Sequence, residues 1–300
     1  MSGEPGPASG PPALAGLVVV DKQPGWTSHD VVARCRRIYG LRRVGHAGTL
    51  DPDATGVLLV GLGRATRLLR FLTALPKTYT VEIVLGVATT TLDSGGEVVG
   101  EWDMGDVTLA RARAAAASLT GPIDQVPPMV SAVKIGGQPL HRLARRGIEV
   151  DRPARRVTVH RFEVEEAGPG LLRAVIDCSS GTYVRVLAAD LGTALGGGAH
   201  VRHLRRTAVG SFDEAEALPV DALGLAAVRS PAEAVRHLDA VVVPADLVPL
   251  VGRGVPLERG PLETGGEGPW ALLDGTGSLL AVYEASPGGR MRPAVVLAGS

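Results

Sequence analysis

The sequence predicts an α+β fold: a mixed, largely antiparallel sheet with flanking helices, followed by a small β-rich C-terminal domain. Three observations lead there. Helical and strand-like segments follow one another without the regular βαβ period that marks a parallel sheet. The stretch Thr78–Val87 puts Tyr79, Val81, Ile83 and Leu85 on one face, the period of two of a half-buried strand. Beyond about residue 212 the chain turns to short apolar runs separated by Gly-rich turns, and its charge changes sign.

Residues 1–13 read as a disordered tail ahead of a main domain over 14–212. Leu17–Asp21 is a short buried strand, ended by the turn signal Gln23-Pro24-Gly25. Thr27 or Ser28 can cap a helix that runs to about Tyr39, where Gly40 supplies a C-terminal stop. Residues 41–56, rich in Gly, Pro, Asp and Thr, form a structured loop before a buried strand at Val57–Val60. Ala65–Leu75 is a helix stopped by Pro76, and Leu109–Leu119 is an Ala-rich helix. Gly121–Pro128 is a loop, Val130–Ile135 a strand and Leu140–Arg146 a short helix. Strands follow at Arg156–Glu165 and Leu171–Cys178, then a helix at Tyr183–Leu195 closed by three glycines, then a strand at His200–Val209. Residues 213–240 read as a partly helical acidic connection. The C-terminal domain, 241–300, carries strands at Pro269–Leu273, Leu279–Tyr283 and Arg292–Leu297.

The chain is long enough to bury a sizeable core, and with aromatics at only 3% that core must be Val, Leu, Ala and Ile. Its 40 glycines and 22 prolines imply many turns. Cys35 and Cys178 lie far apart with no partner motif, which argues against a disulfide framework or a metal centre and for a reducing cytoplasm. The first residues have no basic start followed by an apolar stretch, and no apolar run is long enough to span a bilayer, so neither export nor a membrane is expected. Net charge is zero, but residues 1–210 hold 25 Lys and Arg against 19 Asp and Glu, while 211–300 hold 6 against 12. Arginine supplies 22 of the 25 cations, and its planar fork suits phosphates and bases. An Arg-for-Lys compositional bias accounts for the same numbers.

The most informative stretch is Gly45-His46-Ala47-Gly48-Thr49-Leu50-Asp51-Pro52-Asp53-Ala54-Thr55-Gly56-Val57-Leu58. It sets one carboxylate between a Gly-rich turn and a buried strand. Pro52 pushes Asp51 away from helical geometry, and Gly45, Gly48 and Gly56 allow another backbone to come close. A rigid loop presenting one acid from an apolar base suits a catalytic carboxylate. Local sequence alone fits equally an Asx-type turn in which Asp51 only bonds nearby N–H groups. In the same way His46 reads locally as a loop histidine, Tyr79 as core, Arg185 as a solvated helix residue and Lys22 as a surface lysine.

This stretch resembles the hallmark motif of TruB-type pseudouridine synthases, G-H-x-G-x-L-D-P-x-A-T-G-x-L. Further stretches match that family in order: Asp21–Ser28, Lys77-Thr78-Tyr79, Pro127–Lys134 and Gly181–Arg185, so the resemblance spans about residues 16–210. There are departures: Gln23 displaces the proline of D-K-P-x-G by one position, Met129 stands where an aromatic is frequent, and His141-Arg142 replaces a Tyr-Glu pair. The resemblance implies a pseudouridine synthase catalytic domain with a PUA-like C-terminal domain. It implies isomerisation of uridine to pseudouridine at position 55 in the T arm of tRNA, on a flipped-out base, with no cofactor and no metal. The catalytic set it implies is Asp51, Arg185 and Tyr79, with Arg185 pairing Asp51 and Tyr79 stacking on the uracil and aiding the last proton removal. Substrate-binding positions are His46, Tyr183, Lys22, Gly48, Thr49 and Leu50; Lys22 is expected either to face RNA or to fix a loop.

The chemistry fits those residue types. Breaking N1–C1′ and joining C5 to C1′ is redox-neutral, and a carboxylate can serve it as a nucleophile or by taking the C2′ proton to give a glycal. Arginine groups flanking the motifs are expected to track the RNA backbone, with Arg42, Arg43, Arg145, Arg146 and Arg205 as the candidates. The expected partner is the tRNA T-arm stem-loop, met by a monomer without guide RNA. Two rival readings are a relative acting on another RNA and a tRNA-folding chaperone without chemistry.

Overall fold

A computed structural model describes residues 14–131, 133–144, 146–262 and 264–297; the expected N-terminal tail and Arg145 lie outside these. In chain order the main domain runs β1 (Gly16–Lys22), α1 (Ser28–Tyr39), β2 (Val44–Ala47), β3 (Thr55–Leu62), α2 (Leu69–Thr73), β4 (Lys77–Leu85), β5 (Val87–Thr89), β6 (Val98–Glu101), α3 (Leu109–Ser118) and β7 (Gly121–Gln125). It continues with β8 (Lys134–Ile135), β9 (Gln138–Pro139), α4 (Leu140–Ala144), β10 (Arg155–Gly168), β11 (Leu171–Cys178), α5 (Val184–Ala194), β12 (Ala199–Val209), β13 (Phe212–Asp213) and β14 (Leu218–Pro219). After α6 (Pro231–Ala234) come β15 (Asp239–Val242), α7 (Val248–Gly252), β16 (Leu257–Glu258), β17 (Trp270–Leu273), β18 (Leu279–Ser286) and β19 (Arg290–Val296).

Ten strands form the main sheet, in the order β14-β1-β3-β12-β4-β11-β10-β7, with β2 paired to β3 and β13 to β12. All but two of its pairings are antiparallel; β1 with β14 and β12 with β3 run parallel. A second, five-stranded sheet, β15-β17-β18-β19-β16, makes up the C-terminal part.

Both faces of β1 and β3 are covered, and that explains their unbroken apolar runs. Val18, Val20, Leu58 and Val60 point into a core with α1, α3 and α5. Leu17, Val19, Val57 and Leu59 point the other way, into a second core that holds Ala271, Leu279, Val282 and Val295 of the C-terminal sheet. Arg64 and Arg67 reinforce that contact by donating to the carbonyls of Leu297 and Val296 at 3.1 and 2.6 Å. The C-terminal sheet therefore completes the core of the main domain. β4 is covered on one face alone, so it alternates: Tyr79, Val81, Ile83 and Leu85 are buried and the residues between them half-buried.

Helix α1 starts as its sequence predicts. Thr27 caps it in a reciprocal capping box with Asp30, and Gly40 ends it at φ 64°, a left-handed conformation with no Cβ penalty. The loop expected over 41–56 contains strand β2, which pairs Val44–Ala47 with Leu62–Leu59 of β3. The helix expected at Ala65–Leu75 is a 3₁₀ segment, Gly63–Leu68, followed by the five-residue α2. Gly121–Gln125, expected as loop, is an edge strand on β10, a place that tolerates Pro122. Of the strand expected at Val130–Ile135, two residues pair, with β9. Of the hairpin β5–β6, only Val87, the last residue of the strand expected at Thr78–Val87, carried a sequence expectation.

Candidate active site

Asp51 lies on the loop between β2 and β3, and that loop is pinned at three points. Its first residue, Gly48, has φ +88° and accepts a hydrogen bond through its carbonyl from Arg206 Nη2 at 3.1 Å. Leu50 is held at both of its backbone polar atoms by one hydroxyl: its N–H donates to Ser28 Oγ at 2.9 Å, and Ser28 Oγ donates to its carbonyl at 3.3 Å. The Pro52 carbonyl accepts from Lys22 Nζ at 2.8 Å and from the Gly25 N–H at 3.0 Å. The segment Asp21–Ser28 and the segment around Asp51 are thus one device: the first clamps the second.

Lys22 accordingly does not face a substrate. Its side chain is buried, and its three ammonium protons go to the carbonyls of Gln23, Trp26 and Pro52 at 3.0, 2.7 and 2.8 Å. Burial lowers its pKa to about 8, opposed by Asp53 and Asp51, so the ammonium stays protonated at neutral pH. This corrects the expectation of Lys22 as a substrate-binding residue in favour of its other expected role, fixing a loop.

The Asp51 carboxyl opens on a cavity of about 430 Å³, with 39% of its side chain exposed. Behind it sits Arg185, 5% exposed, whose Nε contacts Asp51 Oδ2 at 2.9 Å. The rest of the guanidinium is anchored as well: Nη1 donates to the Thr91 carbonyl at 2.6 Å and pairs with Asp93 at 3.3 Å, and Nη2 donates to the Val130 carbonyl at 2.8 Å. Arg185 thereby joins four segments of chain at one planar cation. Burial raises the pKa of Asp51, and the Arg185 charge opposes the rise. Desolvation and pairing compete here on a single carboxyl group.

Gly48, Thr49, Leu50, Asp51, Tyr79, Tyr183 and Arg185, seven residues expected at the site, all line this one cavity. Tyr79 comes from β4 and Tyr183 from the start of α5. His46, on β2, is outside the lining; its ring meets that of His29 edge-on at 5.6 Å between centroids. Its Nδ1 is buried without a hydrogen-bond partner, and burial lowers its pKa to about 4, so it is neutral near pH 7.

Two buried cations complete the cavity wall, and neither was expected there. Arg206, 1% exposed, is the cross-strand neighbour of Tyr79; its Nε donates to the Val57 carbonyl at 2.7 Å. Gly56 makes this seat possible: a Cβ there would stand 2.2 Å from the Arg206 carbonyl oxygen. Lys77 donates to the carbonyls of Thr73 and Leu75, both at 2.6 Å, and burial lowers its pKa to about 8. Burial also pushes the Tyr79 phenol up, against the pull of Arg206. Asp93 was missed as well, because Thr91-Leu92-Asp93-Ser94-Gly95 reads as an ordinary turn.

The expected RNA-backbone arginines divide. Arg42, Arg43 and Arg146 are exposed. Arg205 instead makes a bidentate pair with Asp21, both contacts 3.0 Å, and a third contact with Glu214 at 2.9 Å, so its charge is spent within the fold. No described helix is long and apolar enough to cross a membrane.

Comparison with known proteins gives a consistent result. The N-terminal domain model of TruB family pseudouridylate synthases matches residues 36–184, and the tRNA pseudouridylate synthase B C-terminal domain matches residues 185–248. A protein of Mycobacterium sp. (strain KMS) named tRNA pseudouridine synthase B is 46% identical over 96% of this chain and 98% of its own length. A namesake from Thermobifida fusca (strain YX) is 46% identical over 95% of this chain and 99% of its own. One from Nocardia farcinica (strain IFM 10152) reaches 56% over 70% of each. Among solved structures, a chain of a Cbf5-Nop10-Gar1 complex superposes with TM-score 0.71 at 27% identity, covering 95% of this chain and 84% of that one.

Proposed function

The chain belongs to the TruB family of pseudouridylate synthases, and on that premise we propose that it converts the uridine at position 55 in the T arm of tRNA to pseudouridine, with Asp51 as the essential carboxylate. The observation that carries this is a carboxyl group part-open to a cavity of about 430 Å³ and backed at 2.9 Å by a guanidinium that is itself anchored on three further groups. Such a carboxylate can attack C1′ or take the C2′ proton, and both routes need it charged. Arg185 favours the charged form that burial opposes.

A T-loop uridine must leave its stack to reach this cavity, at a cost of a few kcal/mol. Stacking on Tyr79 returns about 1–3 kcal/mol. After the ring turns and C5 joins C1′, the C5 proton leaves and N1 gains one; Tyr79, which lines the cavity, assists this exchange, its phenol passing on its own proton as it takes up the one from C5. His46, neutral and seated on the edge strand beside His29, fills the place the base vacates in the RNA. Arg42, Arg43 and Arg146 contact phosphates. The C-terminal part, 241–300, is a PUA-like domain whose main task here is to brace β1 and β3 through their shared core.

The enzyme acts on tRNA alone, as a cytoplasmic monomer without guide RNA. Its two cysteines are buried free thiols, which suits a reducing compartment. The test is to incubate the purified protein with a T-arm stem-loop and map pseudouridine. One modified site should form with wild type and none with Asp51→Asn, while the dissociation constant stays within about threefold. Product from Asp51→Asn would remove the carboxylate from the chemistry; a requirement for a guide RNA would remove the stand-alone reading.

A further inference from the structure

Gln125 ends the edge strand β7 and is 3% exposed, although its neighbours Asp124 and Val126 are exposed. Its side-chain amide bonds both backbone polar atoms of a single distant residue. Oε1 accepts from the Tyr183 N–H at 2.7 Å, and Nε2 donates to the Tyr183 carbonyl at 3.1 Å. Tyr183 is the N-cap of α5, at φ −101° and ψ 105°, and its own side chain makes no capping bond. Its carbonyl also accepts the first bonds of the helix, from Val186 and Leu187 at 3.1 and 3.2 Å. Where Tyr183 sits therefore decides where the first turn of α5 sits, and Arg185 is in that turn.

We propose that Gln125 is a positioning residue for the reaction: by holding the backbone N–H and carbonyl of Tyr183 it fixes the angle at which α5 delivers Arg185 to Asp51. The inference rests on the reading of Arg185 as the functional partner of Asp51. Three features support a role beyond filling space. Glutamine matches the site atom for atom, since a donor and an acceptor are needed side by side in one plane. The contact bridges residues 58 positions apart, so no local propensity produces it. The same stretch of chain reaches the Arg185 guanidinium directly, through the Val130 carbonyl, while Arg152 Nη1 holds the Pro127 carbonyl between them at 3.1 Å. Residues 125–130 thus form a strap secured at Tyr183, Arg152 and Arg185.

The test is a double-mutant cycle on single-turnover pseudouridine formation in a T-arm stem-loop, with RNA affinity and melting temperature measured beside it. Gln125→Met keeps length and loses both bonds; Gln125→Glu keeps the acceptor and sets a carboxylate against the Tyr183 carbonyl. Each should lower the single-turnover rate about tenfold to a hundredfold, the scale of a misplacement near 1 Å, with the dissociation constant changed less than about twofold. In an Arg185→Lys background, where the fork is already gone, either substitution should cost less than about threefold. Equal factors in the two backgrounds would show that Gln125 does not act through Arg185 and would overturn the proposal. If Arg185→Lys has wild-type rate, the reading of Arg185 fails, and this inference with it. If neither Gln125 variant folds, the residue is a requirement of the fold and the proposal is refuted.

Discussion

Replacing Arg185 by Met removes the charge that holds Asp51 ionised and leaves its carboxyl half in the protein. Unit charges 2.9 Å apart interact by roughly 6 kcal/mol at an effective dielectric of 20. The Asp51 side chain is 39% exposed, so solvent screening reduces this to about 3 kcal/mol. At 1.36 kcal/mol per decade this bounds the loss at about a hundredfold, reached where the pH lies below the wild-type pKa of Asp51 and smaller above it. The pH dependence has a definite sign. Burial already raises the Asp51 pKa, and Arg185 opposes it; without Arg185 the folded-state pKa rises further. The ionised fraction of the variant therefore keeps growing with pH across a range where wild type is already flat. Single-turnover rates on a T-arm stem-loop, measured from mildly acid to mildly alkaline pH, should show the Arg185→Met deficit shrinking as pH rises. A deficit that is the same at every pH would mean that Arg185 does not control the charge on Asp51. A melting curve separates this from unfolding, because Arg185 also bonds Thr91, Asp93 and Val130.

Other perturbations follow from the same geometry. Lys22→Met removes three hydrogen bonds that a buried ammonium makes to backbone carbonyls and should cost about 2–4 kcal/mol in urea unfolding, with the tRNA dissociation constant and its salt slope unchanged; a flatter salt slope would mean that Lys22 touches RNA after all. Gly56→Ala drives a Cβ to 2.2 Å from the Arg206 carbonyl at φ +98°, so the protein should lose more than about 3 kcal/mol or fail to accumulate; near-wild-type melting would contradict the close approach of β3 and β12. Arg146→Ala should reduce the slope of log K against log salt by about one, whereas Arg205→Ala should leave it alone and cost about 1 kcal/mol of stability; the reverse order would reassign the two arginines.

Some of the protein is written locally. Helix α1 is legible because a capping box and a left-handed glycine act over a few residues. The face of β4 is legible because Tyr79, Val81, Ile83 and Leu85 share one period. Seven cavity residues were legible through motifs, whose spacing survives in the chain even when their partners are remote. The elements that were misread, β2, β7 and the hairpin β5–β6, are short strands whose pairing partner supplies the reason to be extended, and no local signal carries that.

Arg205 and Arg206 show where local reading ends. In sequence they are adjacent members of one basic cluster. In β12 consecutive side chains leave by opposite faces. Arg205 goes to Asp21 and Glu214, and Arg206 goes under the cavity, to Val57 and Gly48. The sequence by itself determined the α+β class, the caps, the alternating strand and the loop that presents Asp51. The tertiary structure alone decided that Lys22 is a clamp, that Asp93 pairs with Arg185 and Gln125 holds the backbone of Tyr183, and that the acidic C-terminal part seals a core. The physical reason is range: turns and periods act over a few residues, while a buried cation is defined by partners up to 158 positions away that the fold brings within hydrogen-bonding distance.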